Sequence, residues 1–302
     1  MYTIEKERIS AALASHCIAI EHVGSTSVPG LKAKAKIDIA CLVTVPFQHI
    51  PILESLGYTF CGEWNIPFKF GFTLRGDVDV NLHIYEKEHF EYDLAILFRD
   101  MLRENKALCD QYEKLKEDIL DIEENHNVSS FGLRQYTLQK SHFIKDALKQ
   151  KAPSTQRLTF TTHPDEWSFT KALRQRIFFD SMQKDDPFHW TFMHKDHYHF
   201  CLHRGMDIIG YAHVQKWPHH RFALRIIAID KDYQFMGYGS FFLKNIEKWL
   251  LRQGAYALHI DSNEEVLPFY LKNHYDMMPF NDPDAYPWNP LNRAVGKILK
   301  ES

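Results

Sequence analysis

The segment Ile226-Ile-Ala-Ile229-Asp-Lys-Asp-Tyr-Gln234-Phe-Met-Gly237-Tyr-Gly239 has the make-up to hold a phosphate on its backbone. A β-branched run passes through a polar turn into two glycines. Gly237–Arg252 then sets Phe242, Ile246, Trp249 and Leu250 on one helical stripe. A helix opened in this way leaves its first N–H groups unpaired at the positive end of its dipole, where a pyrophosphate is stabilised. Glycine suits the turn because a side chain would block the approach of phosphate to backbone. Spacing excludes two other phosphate loops. A dinucleotide fingerprint needs a third glycine where Phe242 stands, and a Walker A loop needs Gly-Lys-Ser/Thr at its end.

Further on comes Leu258-His-Ile-Asp-Ser-Asn263-Glu-Glu-Val-Leu-Pro-Phe269-Tyr270, and near the end Val295-Gly-Lys-Ile-Leu299. Together with the glycine turn these resemble the GNAT superfamily of acetyl-CoA-dependent N-acetyltransferases, over Arg157 to Leu299. The family's Gly-Phe after the second motif is replaced here by His274-Tyr275. The resemblance implies acetyl-CoA as cosubstrate. Its contacts would be Ile227, Ala228, Ile229, Gln234, Phe235, Met236, Gly237, Tyr238, Gly239, Ser240, Asn263 and Phe269, with Tyr270 protonating the departing thiolate. A phenol of pKa about 10 can do so only if held close, and aromatic packing against the sheet is the alternative role for Tyr270. The acceptor amine must lose a proton, yet Phe222–Ile229 contains no acid where many such enzymes carry a glutamate. His219 or His220, just before that strand, could relay the proton through water; a solvated loop pair is the other reading.

In the first half, Glu21-His-Val-Gly-Ser-Thr-Ser-Val-Pro-Gly30 precedes Ala35-Lys-Ile-Asp38-Ile. With Leu82-His83, Leu97-Phe-Arg99-Asp100, Tyr112/Lys116 and Tyr136/Lys140, this resembles the GrpB family over residues 15 to 148. Such domains look like nucleotidyltransferases, which grip a triphosphate in a Gly-Ser loop while carboxylates hold two Mg²⁺ ions. The resemblance implies a nucleotide or phosphorylated ligand at Gly24, Ser25, Thr26, Lys36, Asp38 and His83. Metal-assisted phosphoryl transfer needs several convergent acids. Here Ala40 stands where the second acid of an Asp-x-Asp pair belongs. Asp79, beside Asn81 and His83, could join Asp38 around one Mg²⁺; a strand-end brace on Ser25 or the backbone is the alternative role for Asp38.

His197, His199, Cys201 and His203 alternate and so share a strand face. Neighbours two apart on a strand lie nearly ~7 Å apart, too far for all four to chelate one ion, so no metal is assigned and a polar face lining a groove or lying under a helix is expected.

These residues need two folded frameworks. A break falls at Lys149-Gln-Lys-Ala-Pro-Ser-Thr-Gln156, giving expected domains of 1–150 and 157–302. Before it, the pattern predicts a helix over Ile4–Cys17, strands over Ile18–Val23, Ile37–Val45 and Val78–Tyr85, and helices over Tyr92–Ile122 and Leu133–Leu148. After it come a strand at Arg157–Thr162, a helix at Glu166–Met182, and strands at His197–His203, Ile208–Gln215 and Arg221–Ile229. The Gly237–Arg252 helix follows, then strand Ala257–Ile260, helix Glu264–Asn273 and strand Ala294–Leu299. The fold class is α+β in two domains: a nucleotidyltransferase-like mixed sheet with helices, then a GNAT fold with a mixed central sheet flanked by helices. The chain has 302 residues, 45% hydrophobic and 25% charged, with a net charge of -3 and no long basic run, which argues against nucleic acid or membrane as partner. Five scattered cysteines, no apolar leader and no membrane-length apolar run point to the cytoplasm. The expected activity is acetyl transfer to a small-molecule or peptide amine. The alternative gives nucleotidyl transfer to the first half, with the second as an acetyl-CoA-binding regulator; oligomeric state leaves no mark in the sequence.

Overall fold

The computed structural model describes residues 1–45, 47–120, 135–180, 183–283 and 291–300. The chain divides into two compact units, Met1–Arg157 with Arg204–Met206, and Leu158–His203 with Asp207–Ser302.

The first unit is built on a five-stranded sheet ordered β1-β2-β5-β4-β3. The strands are β1 (Cys17–Val23), β2 (Lys36–Val43), β3 (Thr59–Gly62), β4 (Lys69–Leu74) and β5 (Asp79–Glu86). β2 and β5 run parallel; β1 on β2 and β4 on β5 are antiparallel. Alternation decides what each face does. Ile37, Ile39, Cys41, Phe70, Phe72, Val80, Leu82 and Ile84 enter one core, which Ile9 and Leu13 of α1 (Tyr2–Leu13) and Leu53 of α2 (Ile50–Ser55) complete. The opposite face carries Lys36, Asp38, Lys69, Asn81, His83 and Tyr85. On that side Ala40 and Tyr85 join Tyr92 of α3 (Phe90–Glu104) in a second core. A third forms where Leu102 of α3 meets Tyr112 of α4 (Lys106–Leu120) and Phe143 of α5 (Gln135–Lys149).

The second unit holds a seven-stranded sheet ordered β11-β12-β10-β9-β8-β7-β6. Its strands are β6 (Gln156–Phe160), β7 (His197–Arg204), β8 (Asp207–Trp217), β9 (Arg221–Ile229), β10 (Ala257–Ser262), β11 (Asp276–Met277) and β12 (Arg293–Ile298). β9 and β10 are parallel, and a parallel pair needs a long crossover, here α7 (Tyr238–Arg252). Phe242, Leu243, Ile246, Trp249 and Leu250 of α7 are buried, and the Trp249 ring meets Phe160, Tyr198 and Phe200. On the other side of the sheet lies α6 (Pro164–Arg174), whose Leu173 packs with Tyr211 and Ala228. A short α8 (Leu267–Lys272) follows β10.

Several elements differ from expectation. The first helix stops at Leu13 because Ala14 turns to φ 48, and Cys17 already belongs to β1. The single helix expected over Tyr92–Ile122 is two: Asn105 is extended, and its Oδ1 caps the second by accepting from Leu108 N–H at 3.1 Å. α6 ends at Arg174 and continues as a π turn over Gln175–Phe179. α8 starts at Leu267, because Asn263 Oδ1 accepts from Val266 N–H (3.0 Å) and closes a turn first. β3, β4 and β11 were not anticipated. The helical readings at 121–122, at 133–134 and at Met182 lie outside the described residues. Among the described residues, no helix is long and apolar enough to cross a membrane.

Candidate active site

In the second unit, β10 pairs with β9 only through Ala257–Arg221, Leu258–Phe222 and His259–Ala223. Beyond Ala223 the two parallel strands part, and the edge of β9 from Leu224 to Ile229 faces no strand partner on that side among the described residues. Backbone groups there, other than the Ile229 carbonyl that Gln234 holds, are available to a ligand that enters as a third strand would. Ile227, Ala228 and Ile229 therefore lie along an open edge while their other edge stays tied to β8 through Ala212, Tyr211 and Gly210.

The strand leads into the glycine turn. Gln234 reaches back with Nε2 to the Ile229 carbonyl (2.9 Å), which fixes the loop's entry. Phe235 at φ 61 and Gly237 at φ 86 are both left-handed, and Phe235 and Met236 are exposed. Gly237 caps α7, whose first hydrogen bond runs from Phe241 N–H to the Gly237 carbonyl at 3.1 Å. The amides of Tyr238, Gly239 and Ser240 thus have no partner within the helix. A Cβ on Gly237 would meet nothing within 4 Å, whereas one on Gly239 would lie 3.2 Å from the Phe269 ring. Gly239 therefore admits Phe269, and Phe269 stands against Tyr270 with ring centroids 5.1 Å apart. Tyr270 is buried, and its hydroxyl has no hydrogen bond to another described residue. Burial alone pushes its phenol well above the ordinary range. Asn263 sits at the end of β10, exposed, its side chain spent on the Val266 amide.

His220 does not join this group. It lies exposed in the turn before β9, at φ 58, with its carbonyl bound to Tyr256 N–H (2.7 Å). It precedes the nine-residue β9, whose far end carries Ile229 and the glycine turn, so the expected proton relay lies roughly 25–30 Å from that turn at strand rise. The structure instead offers Asp261, the second residue of β10 beyond its last pairing with β9. Its Oδ2 accepts from Asn292 Nδ2 (3.0 Å), and its carboxyl is raised, by burial first of all. The sequence signal was present, since Asp261 is the acid nearest Asn263 within its own strand. Arg225 occupies a bulge in β9: His213 pairs with Ile226 and Val214 with Leu224, which leaves Arg225 without an opposite. Its guanidinium binds Asp282 at 2.5 and 3.0 Å and Gln215 at 2.8 Å.

The histidine row is buried, with His199, Cys201 and His203 under α6 and His197 against Trp190 and His213. His203 and Glu166 share Thr159, Cys201 meets Thr170 at 3.7 Å, and His199 Nδ1 binds the Tyr211 hydroxyl at 2.7 Å. Of the two readings left open, the face beneath a helix is the observed one.

In the first unit, Gly24 at φ 71 opens the Gly-Ser loop, and a Cβ there would lie 2.5 Å from Asp38 Oδ2. Asp38 Oδ1 accepts from Asn81 Nδ2 at 2.8 Å, so the carboxylate joins β2 to β5 within the sheet and makes no hydrogen bond to Ser25. Thr26 donates to the Lys36 carbonyl (2.9 Å) and lies 3.1 Å from His22; Ser27 donates to the Gly24 carbonyl (2.6 Å). The Ser25 hydroxyl has no partner among the described residues. His83 lies edge-on to Trp64, with Nδ1 buried and without a hydrogen bond. Asp79 is turned to Arg75 at 3.3 Å. Among the described residues no three His, Cys, Asp or Glu side chains converge as metal ligands, so the Mg²⁺ expectation gains no support. The Tyr136 side chain lies outside the described residues.

Residues 1–150 match the family model described as GrpB protein, and residues 161–275 match the Acetyltransferase (GNAT) family. A UPF0157 protein of Halalkalibacterium halodurans is 33% identical over 50% of this chain and 75% of its own length. Another, from Bacillus subtilis, is 32% identical over 47% of this chain, which spans 41% of that relative's length. The solved ribosomal-protein-S18-alanine N-acetyltransferase from Escherichia coli is 16% identical, covering 49% of this chain and 96% of its own, at a TM-score of 0.38.

Proposed function

Because the chain belongs to the GrpB family through its first half and carries a GNAT-family acetyltransferase domain in its second, we propose that it transfers acetyl from acetyl-CoA to an amine, while its first unit binds a phosphorylated ligand. The observation that carries the first part is the parting of β9 from β10 directly before the Gln234–Gly239 turn. A pyrophosphate fits the free amides at the start of α7, and a pantetheine arm, itself an amide chain, fits the open edge at Ile227–Ile229. Phosphate and amide recognition in one line is what coenzyme A requires.

The acceptor's nitrogen attacks the thioester carbonyl, the C–N bond forms, and the C–S bond breaks to release a thiolate. Tyr270 supplies the thiolate's proton. Its raised pKa keeps it protonated at neutral pH, and its hydroxyl makes no hydrogen bond among the described residues. Asp261 takes the proton lost by the amine, its raised carboxyl bringing it nearer the basicity such a role needs. The test is release of free thiol from acetyl-CoA across a panel of primary amines and peptides. Amine-dependent release in the native chain that is lost in Gly237→Val supports the reading; acetyl-CoA that fails to bind at all sinks it.

A further inference from the structure

Cys17 and Cys41 lie on adjacent strands of the first sheet with their sulfurs 3.8 Å apart. Nothing in the spacing of the chain's cysteines pairs them; the fold does. Cys17 opens β1 opposite Val43 of β2, while Cys41 stands opposite Ile20, so the two meet on a diagonal. The pairing shifts register between Cys17 and Ala19, which lets Cys17 share the core face with Ile20 and Cys41.

The two sulfurs are not equivalent. β1 is an edge strand, and Cys17 at its start is half-buried. Cys41, on β2 between β1 and β5, is wholly buried. The Cys41 thiol beside it holds Cys17 below the ordinary thiol range, at about 7; burial opposes this, and the Ser10 hydroxyl and Lys6 ammonium of α1 assist. Cys41 is pushed the other way, by Cys17 and by burial. The thiolate therefore resides on the reachable sulfur and the proton on the enclosed one. Cys61 and Cys109 lack this arrangement. Cys61 donates to the Thr59 carbonyl at 3.4 Å, and burial, with Asp110, pushes Cys109 up.

We propose that Cys17 and Cys41 form a redox site at which a hydroperoxide oxidises Cys17 and Cys41 closes the product to a disulfide. The Cys17 thiolate attacks the terminal peroxide oxygen, the O–O bond breaks, and the departing alkoxide or hydroxide takes a proton from water. Cys17 is then a sulfenic acid. Cys41 Sγ attacks the Cys17 sulfur, the S–S bond forms, and the S–O bond breaks; the Cys41 proton leaves with the hydroxide as water. Two thiols have lost two electrons, and the hydroperoxide has been reduced to an alcohol, or to water where it is hydrogen peroxide. The sulfurs must close from 3.8 Å to about 2.0 Å. Cys17 can supply the movement, because a short helical turn, Ala14–His16, precedes it and the shifted pairing follows it. β2, by contrast, is paired on both sides. The bridge would close a ring of chain that carries the Gly24–Gly30 loop.

The experiment treats the fully reduced chain with hydrogen peroxide at neutral pH, blocks the remaining thiols with iodoacetamide, and maps the peptides by mass. Expected is a Cys17–Cys41 linked pair within one chain, with the free-thiol count down by two and restored by dithiothreitol. Before oxidation, iodoacetamide should label Cys17 about fivefold faster or more than Cys109 at pH 7, since thiolate fraction outweighs the lower nucleophilicity of a weaker base. Its rate should level off above pH ~8 while that of Cys109 still climbs. Cys41→Ala removes both the resolving sulfur and the main support of the thiolate. Cys17 should then react more slowly and stop at a sulfenic acid that dimedone traps. Cys17→Ser should leave Cys41 unoxidised over the same time. The linkage map of the native chain decides the matter whether or not Cys41→Ala folds. Oxidation of Cys61 or Cys109 ahead of Cys17 overturns the proposal. So does Cys17 carried to sulfinic acid in the native chain with Cys41 still a thiol, a disulfide only between two copies of the chain, or no reaction at Cys17.

Discussion

Gly237 and Gly239 stand two residues apart in one turn for different reasons. At Gly237 the backbone conformation is the constraint: φ is 86, which L side chains adopt only with strain, although a Cβ there would touch nothing. At Gly239 space is the constraint, set by the Phe269 ring. Gly237→Val should therefore weaken acetyl-CoA binding severely by distorting the loop, and calorimetric titration at neutral pH reads this directly. Tyr270→Phe keeps the ring packing and removes only the proton donor. We expect kcat to fall by about 10²-fold or more with acetyl-CoA affinity unchanged, the usual size of a lost general acid. An unchanged kcat would leave Tyr270 a packing residue. These positions were legible because glycine and tyrosine carry their chemistry in their type. Asp38 was legible as a site and its partner was not, because Asn81 reaches it across a parallel pairing that no local pattern encodes.

Strands with clean alternation, such as Asp79–Glu86, and the stripe of α7 could be read directly, since burial on one face imposes the period. β3 and β4 could not. Pro67 and the glycines at 62 and 71 give their segment the look of a loop, while the ladder of β4 on β5 and the contacts of Phe60 with Phe70 and Phe72 hold it as sheet. The break at Asn105 was hidden for a similar reason, because both helices carry the same period. α6 shows how an element is anchored by one buried acid. Glu166 accepts from Thr159 at 2.7 Å and from the amides of Thr162 and His163 at 2.9 Å each. Burial opposes its charge, yet His203 and these hydrogen bonds outweigh burial and hold its pKa at about 2. An unfolded glutamate titrates near ~4.3, so the stabilisation is complete above that pH and drains away as pH falls toward 2. Glu166→Gln should lower the melting temperature at neutral pH and flatten its fall through this acid window. A variant that melts in parallel with the native chain from pH 5 to 2 would remove Glu166 from the account.

At the scale of the molecule, composition announced enough apolar residues for two cores, and the chain divides into two compact units. Ile39, Phe72 and Leu82 are wholly buried within the first unit; Tyr211, Phe242 and Leu250 are wholly buried within the second. A core that closes on its own residues needs no second core to exclude water from it. The C-terminal fragment 157–302 should therefore express as a soluble protein, bind acetyl-CoA with the affinity of the full chain, and unfold in one cooperative transition. The full chain, heated with acetyl-CoA and with inorganic triphosphate in turn, should show two separable responses, since each ligand stabilises only the unit that binds it. An aggregated fragment, or a single transition in the full chain raised equally by either ligand, would mean that the two cores stand or fall together.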